Sequence, residues 1–128
     1  MKTRSQGFLK QIHPVLPVKD VTKAVDFYIK KLGFKLAFTD TTDEYGYAGV
    51  SRDGIEIHLQ WHDNTEWENE YNTQMLRIYV DNIEVLHNEY KTQNVFHNNT
   101  LLKETSWGTK EFAFYDLFGN GLTFYRDI

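Results

Sequence analysis

The sequence predicts an α+β fold made of two successive βαβββ modules, and three observations carry that expectation. A short motif recurs: Val18-Lys19-Asp20-Val21 is matched by Val80-Asp81-Asn82-Ile83, and Tyr28 by Tyr90, both at an offset of 62 residues. Each copy opens a stretch with apolar residues at helical spacing, and three short strand-like segments follow each. The chain has 128 residues, 41% of them hydrophobic, which suits one domain with a substantial core. Residues 11–62 form the expected first module and 73–127 the second, within a single domain over 1–128.

Residues 12–18, IHPVLPV, read as a first strand, and their two prolines place it at a sheet edge. In the next segment Val21, Ala24, Val25, Tyr28 and Leu32 fall on one helical face, with Asp20 as N-cap and Gly33 as stop. Lys30 and Lys31 sit in the last turn, where the helix dipole favours cations. Strands are expected at 34–39, 45–51 and 55–61, with Asp53-Gly54 as a hairpin turn. In 55–61 the alternation is clean: Ile55, Ile57, Leu59 and Trp61 share one face, Glu56, His58 and Gln60 the other. A polar connector follows at 62–72. The order then repeats: a strand at 75–80, a helix capped by Asp81 with Glu84 completing a capping box, and strands at 100–104, 110–115 and 121–126. Ile83, Leu86, His87 and Tyr90 make the inner face of that second helix. A four-stranded sheet with one helix leaves its second face open, and two such sheets can curve around a ligand cleft.

Composition excludes several classes. No cysteine is present, so disulfides, Cys-ligated zinc, iron–sulfur clusters and thiol chemistry are absent. No uncharged stretch approaches the ~18 apolar residues of a membrane helix. MKTRSQGFLK lacks the apolar segment of a secretory signal, so a cytoplasmic location and no membrane partner are expected. The net charge of −4 argues against nucleic acid. The charge is uneven: by residue type, 1–35 carry a net +6, 36–70 a net −8 and 71–128 a net −2. The middle third is either a solvated acidic loop or a surface that draws a cationic ligand.

A few side chains could carry chemistry. Glu56 and His58 are alternate residues on one strand, so they point the same way roughly 7 Å apart. Gln60 and His62 share their parity. If that face lines the cleft, the carboxylate needs a partner or a metal; otherwise it meets solvent. His13, in the expected first strand, is a structural histidine or a ligand. Arg77 interrupts the apolar strand 75–80 and shares a face with Met75 and Tyr79. It is a surface arginine, or it enters the cleft to pair with Glu56 or receive an anion. Phe38, Tyr47, Trp61, Trp67, Trp107 and Tyr125 are core and interface aromatics or a stacking platform for a planar ligand. HExxH, a phosphate-binding glycine loop and a nucleophile elbow are all absent.

The opening HPVLPVKDVTKAVDFYIKKLGF, the closing SWGTKEFAFYDLFGNGLTFY and the internal repeat resemble the glyoxalase/bleomycin-resistance family, the vicinal oxygen chelate superfamily. The ending WG-x-x-EF-x-x-x-D-x-x-GN-x-L-x-F resembles its bleomycin-resistance branch in particular. The resemblance covers about residues 11–127 and implies paired βαβββ modules. It also implies four metal-ligand positions, which here fall on His13, Glu56, Met75 and Thr123. Methionine and a neutral threonine hydroxyl are poor ligands for a hard divalent ion.

For the branch, the resemblance implies homodimers that swap or clasp their N-terminal strands, with Pro14 at the associated proline position. It implies binding clefts at the subunit interface, no catalytic metal, no cofactor and no reaction. Trp107, Phe38 and Tyr47 fall on cleft-lining positions, with Trp61 and His62 near the rim. The function so expected is non-catalytic sequestration of a small cationic aromatic molecule of the bleomycin type. Its ligand-contacting set is Phe38, Tyr47, Glu56, His58, Gln60, Trp61, Met75, Arg77, Tyr79, Trp107 and Tyr125. Two alternatives stay open: a metal-dependent glyoxalase- or dioxygenase-type enzyme using His13, Glu56 and His58, and a metal-free binder of an unrelated metabolite.

Overall fold

The computed structural model describes residues 7–63 and 74–128. Trp67 and most of the expected connector lie outside the described residues. Strand β1 (Val15–Val18) is followed by helix α1 (Val21–Lys30) and strands β2 (Lys35–Thr39), β3 (Tyr47–Arg52) and β4 (Ile55–Trp61). The second module repeats this with β5 (Met75–Tyr79), α2 (Ile83–Lys91), β6 (Lys103–Glu104), β7 (Thr109–Tyr115) and β8 (Gly121–Asp127). The sheets have equivalent orders, β1-β4-β3-β2 and β5-β8-β7-β6, each with one parallel pair. This is the expected pair of βαβββ modules forming mixed sheets.

Local chemistry accounts for the element ends. The Asp20 carboxylate accepts from the Lys23 N–H at 2.9 Å and starts α1. Gly33, at φ 77°, turns the chain so that the Phe34 N–H returns to the Tyr28 carbonyl at 3.0 Å. The cap of α2 is Asn82 rather than Asp81: the Asn82 side chain accepts from the Val85 N–H at 3.2 Å. An N-cap reaches the third residue beyond it, so Asn82 fits the helix start at Ile83 and Asp81 stands one residue too early. β1 is also shorter than expected. It begins at Val15, and His13 and Pro14 precede it. Pro17 is tolerated because β1 is an edge strand, paired to β4 alone.

One hydrophobic core serves both modules. Leu16, Val18 and Leu59 from the first sheet and Ile83, Phe112 and Phe124 from the second half belong to the same buried cluster. Polar contacts stitch the halves beside it. The Tyr28 hydroxyl donates to Asp116 Oδ2 at 2.8 Å, and Asn120 Nδ2 donates to the Pro17 carbonyl at 3.0 Å. In the other direction the Tyr90 hydroxyl donates to the Leu32 carbonyl at 2.8 Å, and Arg52 forms a two-pronged pair with Glu89 at 2.8 and 2.9 Å. The helix-side faces of both sheets are thus consumed by the core. Their opposite faces, which hold the polar candidates, are turned away from it. No helix among the described residues is long and apolar enough to cross a membrane.

Candidate functional site

Strand parity in β4 runs as expected. Ile57 and Leu59 are buried, while Glu56 and His58 lie half-buried on the other face. β1 runs parallel to β4, with Val15 beside His58, and this brings His13 to Glu56. The Tyr47 hydroxyl lies 2.8 Å from His58 Nδ1, and His58 Nε2 lies 2.8 Å from Glu56 Oε2. His13 Nε2 is 3.8 Å from the same carboxylate oxygen, and His13 Nδ1 is 3.4 Å from the Glu56 carbonyl. The two imidazoles stack with centroids 4.7 Å apart.

An aromatic shelf flanks this cluster. Phe38 meets His58 edge-on at 5.1 Å and stacks on Tyr47 at 6.0 Å. Gly49, paired with both Phe38 and His58, makes room for that ring: a Cβ there would overlap it. Gln60 is exposed on the same face, whereas Trp61 ends β4 on the alternate parity and is itself exposed.

The corresponding face of the second sheet holds a different set. Met75 lies against Gly121, and Tyr79 meets Tyr125 edge-on at 5.4 Å. The Arg77 guanidinium sits 4.2 Å above the Tyr125 ring. It reaches Glu111 at 3.3 Å, so Glu111, not Glu56, is its carboxylate partner. Among the described residues, the Glu56–His58–Tyr47 contacts lie within the first sheet and the Arg77–Glu111–Tyr125 contacts within the second. Glu111 is buried, and burial works against its charge. The Thr109 hydroxyl at 2.7 Å, Arg77 and the Trp107 indole outweigh that and hold the carboxyl below its ordinary range. Trp107 itself is largely exposed.

A groove of about 250 Å³ runs along this face, with Met75, Leu101, Lys103, Glu111 and Tyr115 in its walls. A larger cavity of about 460 Å³ lies between the turn at Asp53 and the start of α2, with Phe34, Leu86 and Phe124 in its walls.

Sequence reasoning missed Glu111, Thr109 and Gly49. Glu111 precedes Phe112 and Phe114, whose burial makes β7 read as core, yet its period-2 parity with Ala113 and Tyr115 was there to find.

A divalent ion has a place to go on the first sheet. His13, Glu56 and His58 each offer one donor atom, all within 4.8 Å of one another, and among the described residues they are the one such grouping. Imidazole and carboxylate donors suit borderline divalent ions. Each histidine is held through its Nδ1, His13 by the Glu56 carbonyl and His58 by the Tyr47 hydroxyl. His58 thereby presents Nε2 to Glu56, as ligating histidines do, while His13 Nε2 lies 3.0 Å from Gln11 Oε1, a contact an ion would have to replace. A hydroxyl both donates and accepts, so Tyr47 supports either tautomer of His58. Met75 and buried Thr123 lie on the second sheet, in β5 and β8.

Comparison with known proteins agrees with this architecture. Residues 10–124 match the model of the Glyoxalase/Bleomycin resistance protein/Dioxygenase superfamily. The chain is 31% identical to a bleomycin resistance protein of Geobacillus stearothermophilus over 129 aligned positions, covering 90% of this chain and 95% of that one. It is similar to the bleomycin-binding protein from bleomycin-producing Streptomyces verticillus, solved with copper(II)-bleomycin, at 26% identity and a TM-score of 0.74, covering 93% and 97% of the two chains. TioX from Micromonospora sp. ML1 has the same fold at 16% identity and a TM-score of 0.78, covering 93% of this chain and 99% of that one. With two βαβββ modules in place and the family model matched along nearly its whole length, the chain belongs to the Glyoxalase/Bleomycin resistance protein/Dioxygenase superfamily and is closely related to its bleomycin-resistance branch.

Proposed function

We propose that this protein binds and sequesters a small cationic aromatic molecule of the bleomycin type without chemical reaction, in clefts completed by a second copy of the chain. The observation that carries the reading is the shelf of Phe38, Tyr47 and His58, an open stacking surface made possible by Gly49. Relatives that bind or confer resistance to bleomycin support the ligand class.

The second copy is supported by the placement of the two faces. Each sheet offers half a cleft, and an antiparallel partner would set the first-module face of one chain across the second-module face of the other. Leu9 and Ile12 are almost fully exposed, which suits an arm exchanged or clasped between copies. Calorimetric titration and tryptophan fluorescence with bleomycin, metal-free and copper-loaded, test the reading. We expect tight binding of one drug per chain and quenching of the Trp107 emission. No heat and no quenching with either form overturns it.

The His13–Glu56–His58 cluster favours a second reading, a metal-dependent enzyme. These three residues would hold a divalent ion, and such an ion supplies Lewis-acid activation of a bound oxygen. Elemental analysis of the purified protein separates the readings. About one equivalent of metal that is lost in His58→Ala supports the enzyme; metal content unaffected by that change removes the assignment.

A further inference from the structure

We propose that Arg77 is a resident counter-ion of Glu111, and that a cation on the ligand displaces it and takes its place on the carboxylate. The inference rests on the reading above that the cleft receives a cationic molecule, and it names the group that recognises the charge.

Two of the arginine–glutamate pairs among the described residues are built differently. Arg52 grips Glu89 with two nitrogens at 2.8 and 2.9 Å, donates also to the Leu32 carbonyl at 2.7 Å, and its side chain is 25% exposed. Arg77 reaches Glu111 with one nitrogen at 3.3 Å and is 48% exposed. A two-pronged, partly buried pair is fixed in geometry; a single long contact from a half-solvated arginine contributes little. Arg77 is therefore the partner that an incoming cation can replace, since a half-exposed guanidinium regains water when another cation takes its contact.

Glu111 has no such freedom. Its side chain is 11% exposed, and the Thr109 hydroxyl and Trp107 indole orient it without neutralising it. A buried carboxylate stripped of its cation is strongly unfavourable, so it keeps Arg77 until another cation arrives. The exchange conserves charge: one cation leaves Glu111 and one replaces it. Lys103 is the cross-strand neighbour of Glu111.

The surroundings suit a cation carried on a flat, partly apolar body. Glu111 lines the groove with Met75, Leu101 and Tyr115, and the Tyr125 ring that Arg77 now covers is freed when Arg77 swings out. The competing use of Arg77, as a receptor for an anionic ligand group, predicts the opposite response to its removal.

The test uses full-length protein, wild type and the variants Arg77→Gln and Glu111→Gln, titrated with bleomycin and separately with benzamidine and its neutral isostere benzamide. The Trp107 indole N–H resonance reports events at Glu111, because the indole lies near enough to that carboxyl to help hold it below its ordinary range. For benzamidine we expect Arg77→Gln to bind about 2- to 5-fold more tightly and Glu111→Gln about 10-fold or more weakly. Benzamide should be indifferent to both changes.

Weaker or unchanged benzamidine binding in Arg77→Gln, or none at all, overturns the proposal. So does benzamidine binding that survives intact in Glu111→Gln. If Glu111→Gln fails to fold, Arg77→Gln and Arg77→Lys decide alone, since their half-exposed site tolerates change. Bleomycin bound equally by wild type and both variants removes the exchange and leaves sequestration standing. Benzamidine behaving as expected while wild type ignores bleomycin removes the drug and leaves the exchange.

Discussion

Tyr28 and Tyr90 occupy equivalent positions of the internal repeat, yet their hydroxyls are held by opposite charges. Tyr28 donates to Asp116 at 2.8 Å, while Tyr90 accepts from Arg52 at 3.2 Å and donates to the Leu32 carbonyl. Burial raises both phenols, with Asp116 adding to the shift at Tyr28; burial takes Tyr90 to about 12 although Arg52 opposes it. Both remain protonated donors at neutral pH. Each ties one module to the other, since its partners belong to the opposite half.

Removing these hydroxyls should destabilise unequally. Tyr28→Phe takes a donor from a buried carboxylate and should cost about 1.5–3 kcal/mol, whereas Tyr90→Phe should cost about 1 kcal/mol, because Arg52 keeps Glu89 and Leu32. Urea unfolding at neutral pH checks this through the midpoint, with the m-value unchanged.

Gly49→Ala should harm binding more than folding. The added methyl meets the ring end of Phe38, a partly exposed side chain that can swing away, so less than about 1 kcal/mol of stability should go. The displaced ring leaves Tyr47 and His58 bare, and ligand affinity should fall about 3- to 10-fold. Paired melting and fluorescence titrations measure the two effects separately.

Acid should weaken the protein in part through Glu84. Hydrogen bonds from Arg126 at 3.1 Å and Lys110 at 2.9 Å lower its carboxyl from 4.5 to about 2. Its folded value is depressed, so its stabilisation is fully present above pH 4.5 and fades as the pH falls towards 2. Glu84→Gln should flatten the fall of stability over that window and leave the remainder of the pH profile unchanged, as followed by chemical denaturation at a series of pH values.

Tyr47→Phe tests how far the histidine cluster is a prepared metal site. Losing the hydroxyl frees His58 Nδ1 and should lower affinity for Zn(II) or Cu(II) about 10- to 100-fold, while His13 and Glu56 keep their positions. Metal titration by calorimetry reads the change. Equal affinity in wild type and variant means that Tyr47 orients nothing.

The modular architecture and the face of each β4 side chain were legible from the offset Tyr28/Tyr90 pair and from the alternation in 55–61, because period and repeat survive in one dimension. The cap of α2 was misplaced by one residue, since Asp81 and Asn82 are both good caps and only the helix start chooses between them. The partner of Arg77 was not legible: Glu111 lies on β7, separated from β5 by β8 in the same sheet, and that strand order is not written in the local sequence. Glu111 was hidden because a carboxylate beside Phe112 and Phe114 looks like a strand's solvent edge until Thr109 and Trp107 close around it.

A shared interior has its own corollary. α1 and α2 and the sheets beneath them contribute buried side chains to one common centre, so either half alone would expose part of it. Expressed as separate polypeptides split within 64–73, the halves should be poorly soluble singly and should recombine when mixed. Such a complementing pair would report its own assembly through recovery of the cleft.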